Sequence, residues 1–191
     1  MRRRINVWII GLISLGAVSL SCESEYNQAV KAELAKGVRY DSLFHGISFG
    51  QGKKAFYDLC WEKNREGLFN AGNRKNYIQT ALINQEKREE SIDMFFYPDF
   101  DERENIIGMD MEYRFKGWAP WNEELHAFEL VPQLKDTLMS WYGGNGFIEI
   151  PDEKDSLGTV WVKVDGNRRI AMKVKDDEVV QVKYADLTLE N

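Results

Sequence analysis

From residue 107 to 116 the chain alternates without a break. Ile107, Met109, Met111, Tyr113 and Phe115 are apolar, and Gly108, Asp110, Glu112, Arg114 and Lys116 between them are not. A period of two places one face in a core and the other in water, the pattern of an antiparallel strand. The C-terminal part repeats it. Val160, Val162 and Val164 alternate with Thr159, Trp161 and Lys163. Asp165-Gly166-Asn167 makes a turn, and Ile170, Met172 and Val174 return. Lys175 to Glu178 turns again, and Val180, Val182 and Tyr184 finish. This spacing predicts an antiparallel meander. Tyr77 to Ile83 and Met94 to Tyr97 are shorter strand candidates.

Between these stretches the period changes. Phe56, Leu59 and Cys60 fall on one face of a helix that starts near Lys53, and Gly67 can stop it. Pro132 suits a first helical turn, which predicts a helix from Val131 to Tyr142. Leu134, Leu138 and Trp141 form its apolar stripe, and Gly143-Gly144 ends it. A third, shorter helix can run from Tyr26 to a stop at Gly37. It has few apolar residues and is expected to pack weakly. Helix, strands, helix, strands, joined by hairpins rather than crossovers, describes an α+β fold. The expectation is an antiparallel sheet with helices on one face, arranged as one or two helix-then-strands units.

The N-terminus carries a different signal. Arg2, Arg3 and Arg4 are clustered, and Val7 to Ser21 holds no charged residue. That stretch is shorter than the roughly 20 residues a helix needs to cross a bilayer. A basic start, a short apolar run and small residues at its end describe an export signal. Val18-Ser19-Leu20-Ser21-Cys22 resembles the lipobox of bacterial lipoproteins, with a departure at Ser19, where leucine is usual. The resemblance implies that Cys22 is acylated and becomes the first residue of the mature chain. It implies a signal peptide over 1–21; the residues that follow read by themselves as a tether over 22–39 and a single domain over 40–191. It also implies a home in the bacterial cell envelope, lipid-anchored at the outer membrane or cell surface. Glu23-Ser24-Glu25 resembles the acidic tether that directs some such proteins to the surface. The first helix-and-strands unit resembles small outer-membrane assembly lipoproteins and β-lactamase-inhibitor-like modules over about twenty residues; that likeness concerns fold alone.

Charge narrows the partners. The whole chain has a formal charge of −6, and removing the three N-terminal arginines makes the remainder more acidic still. No basic stripe is present, which argues against nucleic acid. Cys22 and Cys60 are the two cysteines, so an acylated Cys22 leaves Cys60 without a disulfide partner in the chain.

Few residues suggest chemistry. Gly46 to Gly52-Lys53 misses the spacing of a phosphate loop, and Lys54 stands where Ser or Thr is required. His45 and His126 are the two histidines and are far apart in sequence, so no metal site or cofactor is expected. Cys60 on an apolar helix face reads as an inert core thiol. Asp99, Asp101, Glu102 and Glu104 lie together and could serve a hydrolase, but read more simply as a solvated turn. Trp118 and Trp121 flank a stiff Ala119-Pro120. Exposed, they would make a stacking platform for a sugar or protein partner; buried, they would plug the join between sheet and helix, which is the reading we favour. Arg168 and Arg169 at a hairpin tip could bind an anionic partner. These features lead us to expect a non-enzymatic, membrane-anchored protein that contacts a protein or glycan through Trp118, Trp121, Arg168 and Arg169. An inhibitor or immunity-type binder of a secreted enzyme is the first alternative, and a hydrolase using Asp99 to Glu104 the second.

Overall fold

The computed structural model describes residues 24–72, 76–152 and 155–189. Cys22 and the expected signal peptide lie outside the described residues. Three helices are present among those described, α1 (Glu25–Ala35), α2 (Lys53–Arg65) and α3 (Ala127–Tyr142). The strands are β1 (Asn70–Ala71), β2 (Ile78–Leu82), β3 (Ile92–Phe100) and β4 (Ile106–Phe115), followed by β5 (Ile148–Asp152), β6 (Asp155–Asp165), β7 (Arg168–Val174) and β8 (Val180–Asp186). The fold is α+β.

All eight strands form one antiparallel sheet in the order β1-β2-β3-β4-β8-β7-β6-β5. Two four-strand meanders therefore meet through their last strands, β4 and β8. Met111 sits opposite Val182 and Tyr113 opposite Val180 at this seam. Helix α2 precedes one meander and α3 the other, so the chain holds two helix-then-strands units built into a continuous sheet.

The core follows from the alternation. Met109, Met111, Tyr113 and Phe115 of β4 are buried on one face, with Met94 and Phe96 of β3 and Val180, Val182 and Tyr184 of β8. Phe56 of α2 and Leu130, Leu134 and Leu138 of α3 close over them. Each such large side chain contributes about 1.5–3 kcal/mol on burial. Helix α3 starts four residues earlier than Pro132 suggests, so the proline sits inside it. It has no N–H to offer the Phe128 carbonyl, and the buried leucine stripe offsets that missing bond.

One expectation is corrected. The helices do not all lie on one face of the sheet. Tyr26 and Val30 of α1 pack with Val160, Val162 and Val164, which alternate with Trp161 and Lys163 of the main core side. Strand β6 is thus covered on both faces, because its valine stripe is as apolar as its other side. Ser24 caps α1 by accepting from the Asn27 N–H at 3.3 Å. The segment expected to pack weakly is docked. Strand β5 was not anticipated; it forms the edge beside β6 and carries Pro151, which an edge strand tolerates.

Candidate functional site

The β6–β7 hairpin organises an extended polar cluster among the described residues. Asp165 pairs with Arg168 across the turn, leaving Gly166 and Asn167 at its tip. Gly166 has φ of +52°, and a Cβ there would overlap the Val38 carbonyl oxygen. Glycine is required on both counts. This close approach lets residues 38–42 lie across the tip. The Tyr40 N–H donates to Asn167 Oδ1 at 2.6 Å, and Asn167 Nδ2 donates to Asp41 Oδ1 at 3.1 Å. Arg39 Nη2 reaches Asp41 and Asp186, each at 2.7 Å.

Helix α1 joins the same cluster through Glu33, which is buried. It accepts from the Gly166 N–H at 3.0 Å, Asn145 Nδ2 at 2.6 Å and Lys36 Nζ at 2.5 Å. Burial alone would raise its pKa, but these donors outweigh burial and hold the carboxyl below its ordinary value. Asp186 is likewise lowered, burial being overcome by Thr188, Arg39 and Asn167. Lys163 is fully buried; its Nζ lies 2.6 Å from Asp165 Oδ2 and donates to the Asn145 carbonyl oxygen at 2.5 Å.

The two arginines expected at an exposed tip are therefore placed differently. Arg168 is 4% exposed. Its Nη1 donates to the Ser42 carbonyl oxygen at 2.9 Å, and its guanidinium lies 4.1 Å from the Tyr142 ring centre and 5.5 Å from that of Tyr40. Arg169 is half-buried and donates to the Tyr26 hydroxyl at 3.0 Å. The tip is covered because α1 and residues 38–42 fold over it.

Beside the hairpin opens a cleft of about 690 Å³, lined among others by Tyr40, Ser42, His45, Trp141, Tyr142 and Arg168. That volume is in the range of small-ligand sites. Tyr142 donates to the Leu43 carbonyl oxygen at 2.8 Å, and burial pushes its pKa up to about 12. Burial, with Lys63 nearby, lowers the pKa of His45, whose ring meets Phe44 and Phe69 edge-on. Both groups are neutral near pH 7, so Arg168 supplies the permanent charge of the described lining.

The expected aromatic pair is split. Trp118 is half-buried, with Nε1 donating to the Asp177 carbonyl oxygen at 3.1 Å in the β7–β8 turn. Trp121 is 86% exposed, which corrects the expectation that both are buried. The proline between them directs one indole onto the sheet and the other into solvent. The acidic stretch does not converge. Asp99 faces Lys183 at 3.3 Å, and Glu104 pairs with Lys53 at 2.8 Å. Asp101 accepts from the N–H groups of Asn105 and Arg103, and these hold its pKa low. Cys60 is half-buried, and burial pushes its thiol up to about 11, which keeps it protonated and unreactive. Among the described residues no group of three or more His, Cys, Asp or Glu is placed to hold a metal ion, and no helix is long and apolar enough to cross a membrane.

Sequence reasoning singled out Arg168 and weighed His45 only as a metal ligand, and it did not mark Tyr40 or Ser42. No local signal marks them, since Ser42 and Arg168 are 126 positions apart in the chain. Comparison with protein-family models, curated proteins and solved structures finds no match.

Proposed function

We propose that this chain is a non-enzymatic lipoprotein of the bacterial envelope, fastened by acyl chains on Cys22, whose α+β body binds a partner through the cleft beside Arg168. The cleft carries the reading. It is a preformed concave site with aromatic walls and a buried cation, which suits recognition. The lipobox-like pattern at Val18 to Cys22 supports the anchor. Several acyl chains are needed for stable attachment, each buried methylene contributing about 0.8 kcal/mol.

Palmitate labelling tests the anchor. Wild type incorporates label and Cys22→Ala does not; equal labelling overturns it. Retention of envelope components on immobilised wild-type body and on Trp141→Ala tests the cleft. A species held by the first and lost from the second supports it, and identical retention overturns it.

A second reading is an inhibitor-type binder of a secreted enzyme. It draws on the part of the sheet face opposite the core that lies beyond α1, which packs over β5, β6 and Arg169 of β7. There Lys183 stands between Asp99 and Asp110 at 3.3 and 3.4 Å, Lys175 meets Glu112 at 2.8 Å, and Lys173 meets Asp152 at 2.9 Å. A broad charged surface of this kind gives specificity to a protein contact. Co-purification with a hydrolase, weakened by Lys183→Glu, would favour it over the cleft.

A further inference from the structure

We infer that the end of the sheet carrying the β7–β8 turn docks a cationic amphipathic segment of a partner protein, with Trp121 and Phe128 against its apolar face. This surface is distinct from the cleft. Tyr26 of α1 reaches Arg169 and Glu33 reaches Gly166, so α1 and the cleft lie at the β6–β7 turn. Strand β7, seven residues and about 23 Å long, separates that turn from the β7–β8 turn.

The exposed aromatics are the first argument. Trp121 is 86% exposed and Phe128 70%, within one short segment. The backbone around them is nonetheless fixed. The Lys116 N–H donates to the Ser91 carbonyl oxygen at 2.7 Å, and the Gly117 N–H to that of Glu89 at 3.0 Å. Gly117 packs so closely on Glu89 that a Cβ there would lie 2.6 Å from the Glu89 Cβ. The Trp118 indole N–H and the Ala127 N–H both donate to the Asp177 carbonyl oxygen, at 3.1 and 2.8 Å. Leu125 and Ala127, between the two aromatics, are buried. The rings are therefore held out on a pinned backbone. Large exposed rings on a preorganised backbone anchor protein contacts, because little ordering is left to oppose binding.

Charge selects the partner. The bonds above bring together segments 86–90, 116–129 and 175–178, which hold nine acids and four lysines or arginines. Glu123, Glu124 and Glu129 flank the two aromatics and are exposed, and Glu89, Asp176 and Asp177 stand exposed on the neighbouring turns. The ion-paired neighbours Asp93, Glu112 and Arg114 leave the balance acidic. Lys87 is held by Glu90 at 2.5 Å, and that bond, with Glu89 and Glu124 nearby, raises its pKa. An apolar anchor inside an acidic rim fits leucine-like side chains flanked by lysine or arginine, and it repels an anionic lipid surface. Position points the same way. Helix α1 begins just after Cys22 in the chain, so an acyl group there would enter a bilayer at the α1 end, a strand's length from Trp121.

The test is a calorimetric titration of residues 23–191, which contain every helix and strand described. The probes are a Leu/Lys amphipathic helical peptide, its Leu/Glu counterpart and oligolysine of the same length. Saturable binding of the Leu/Lys peptide is expected, with oligolysine about tenfold weaker or worse and no binding of the Leu/Glu peptide. Trp121→Ala and Phe128→Ala should each weaken binding about 10–100-fold while keeping the wild-type circular dichroism spectrum. Glu123→Gln combined with Glu124→Gln and Glu129→Gln should weaken it about tenfold at low salt. Glu102→Gln with Glu104→Gln at the β3–β4 turn, and Trp141→Ala in the cleft, should leave it unchanged. No saturable binding of the Leu/Lys peptide, equal binding of the Leu/Glu peptide, binding untouched by Trp121→Ala or by Phe128→Ala, or an equal loss in the Glu102→Gln, Glu104→Gln variant would each overturn the inference. So would Trp121-dependent binding to phosphatidylcholine vesicles in place of the peptide, which assigns the aromatics to a lipid surface. Trp121-dependent self-association in sedimentation would assign them to a second copy and overturn it too. Trp121→Ala and Trp141→Ala report on opposite ends of β7, so failure here leaves the cleft reading standing, and failure of the cleft leaves this surface standing.

Discussion

Two polar turns of this protein look alike in the sequence and end in opposite environments. The turn from Asp99 to Glu104 joins β3 to β4; the turn from Asp165 to Arg169 joins β6 to β7. Each carries several charges between alternating strands. In the first, Lys53 and Glu104 are both well exposed, and Asp101 satisfies its own loop by accepting from Arg103 and Asn105. In the second, Lys163, Asp165, Asn167 and Arg168 are buried, with Asn145 and Tyr142 and residues 38–42 against them. The contrast shows that a charged turn is neither a surface feature nor a site by composition. What packs over it decides, and at the second turn that cover comes from far away in the chain.

The largest effect should come from removing a buried charge. Lys163→Ala leaves Asp165 without its close partner, and breaking a buried pair costs about 3–5 kcal/mol. Urea unfolding should show that loss, whereas Lys53→Ala at the exposed turn should leave the midpoint almost unmoved. Equal shifts for the two would break the comparison. Gly166→Ala comes next. The added methyl group meets the Val38 carbonyl oxygen at a positive φ, so a cost of about 1–3 kcal/mol is expected. Limited proteolysis should then cut between α1 and residue 42 well before it reaches the sheet. Retained protection there would mean that the close approach is not what holds this cover.

A smaller effect is expected from acid. The folded pKa of Glu33 is lowered from its ordinary 4.5. Its contribution is therefore present in full above pH 4.5 and is lost as pH falls through the lower folded value. Asp186 acts in the same direction from its ordinary 3.8. Hydrogen exchange should show α1 loosening in that acid range before the strands of the main core. Glu33→Gln should flatten the dependence for α1 alone. Protection of α1 that is constant down to global unfolding would remove Glu33 from the account.

Much of the fold was legible because it follows from local periodicity. The alternation at 107–116 became β4, Ile106–Phe115, within a residue at each end. The valines and isoleucines of the C-terminal part became β6, β7 and β8 with the turns where they were expected. The helix from Lys53 appeared with Phe56 as its buried anchor. Helix α3 was read too short, because a proline was weighed as a helix start when tertiary burial carried the helix past it. Strand β5 was missed although Ile148 and Ile150 alternate with Glu149, since five residues give little signal.

The candidate site was barely legible. Arg168 stood out as a basic residue on an acidic chain, yet its burial, its tyrosine neighbours and its contact with Ser42 have no counterpart in local sequence. The amino-acid order alone determined which residues could face a core, where the chain turns and that the class is α+β, since each depends on a few consecutive side chains. Only the tertiary structure decided that α1 covers the valine face of β6, that one charged turn is buried while the other stays wet, and that a cleft opens beside Arg168. Those outcomes depend on groups more than a hundred positions apart meeting at hydrogen-bond distance, and no local pattern encodes that meeting.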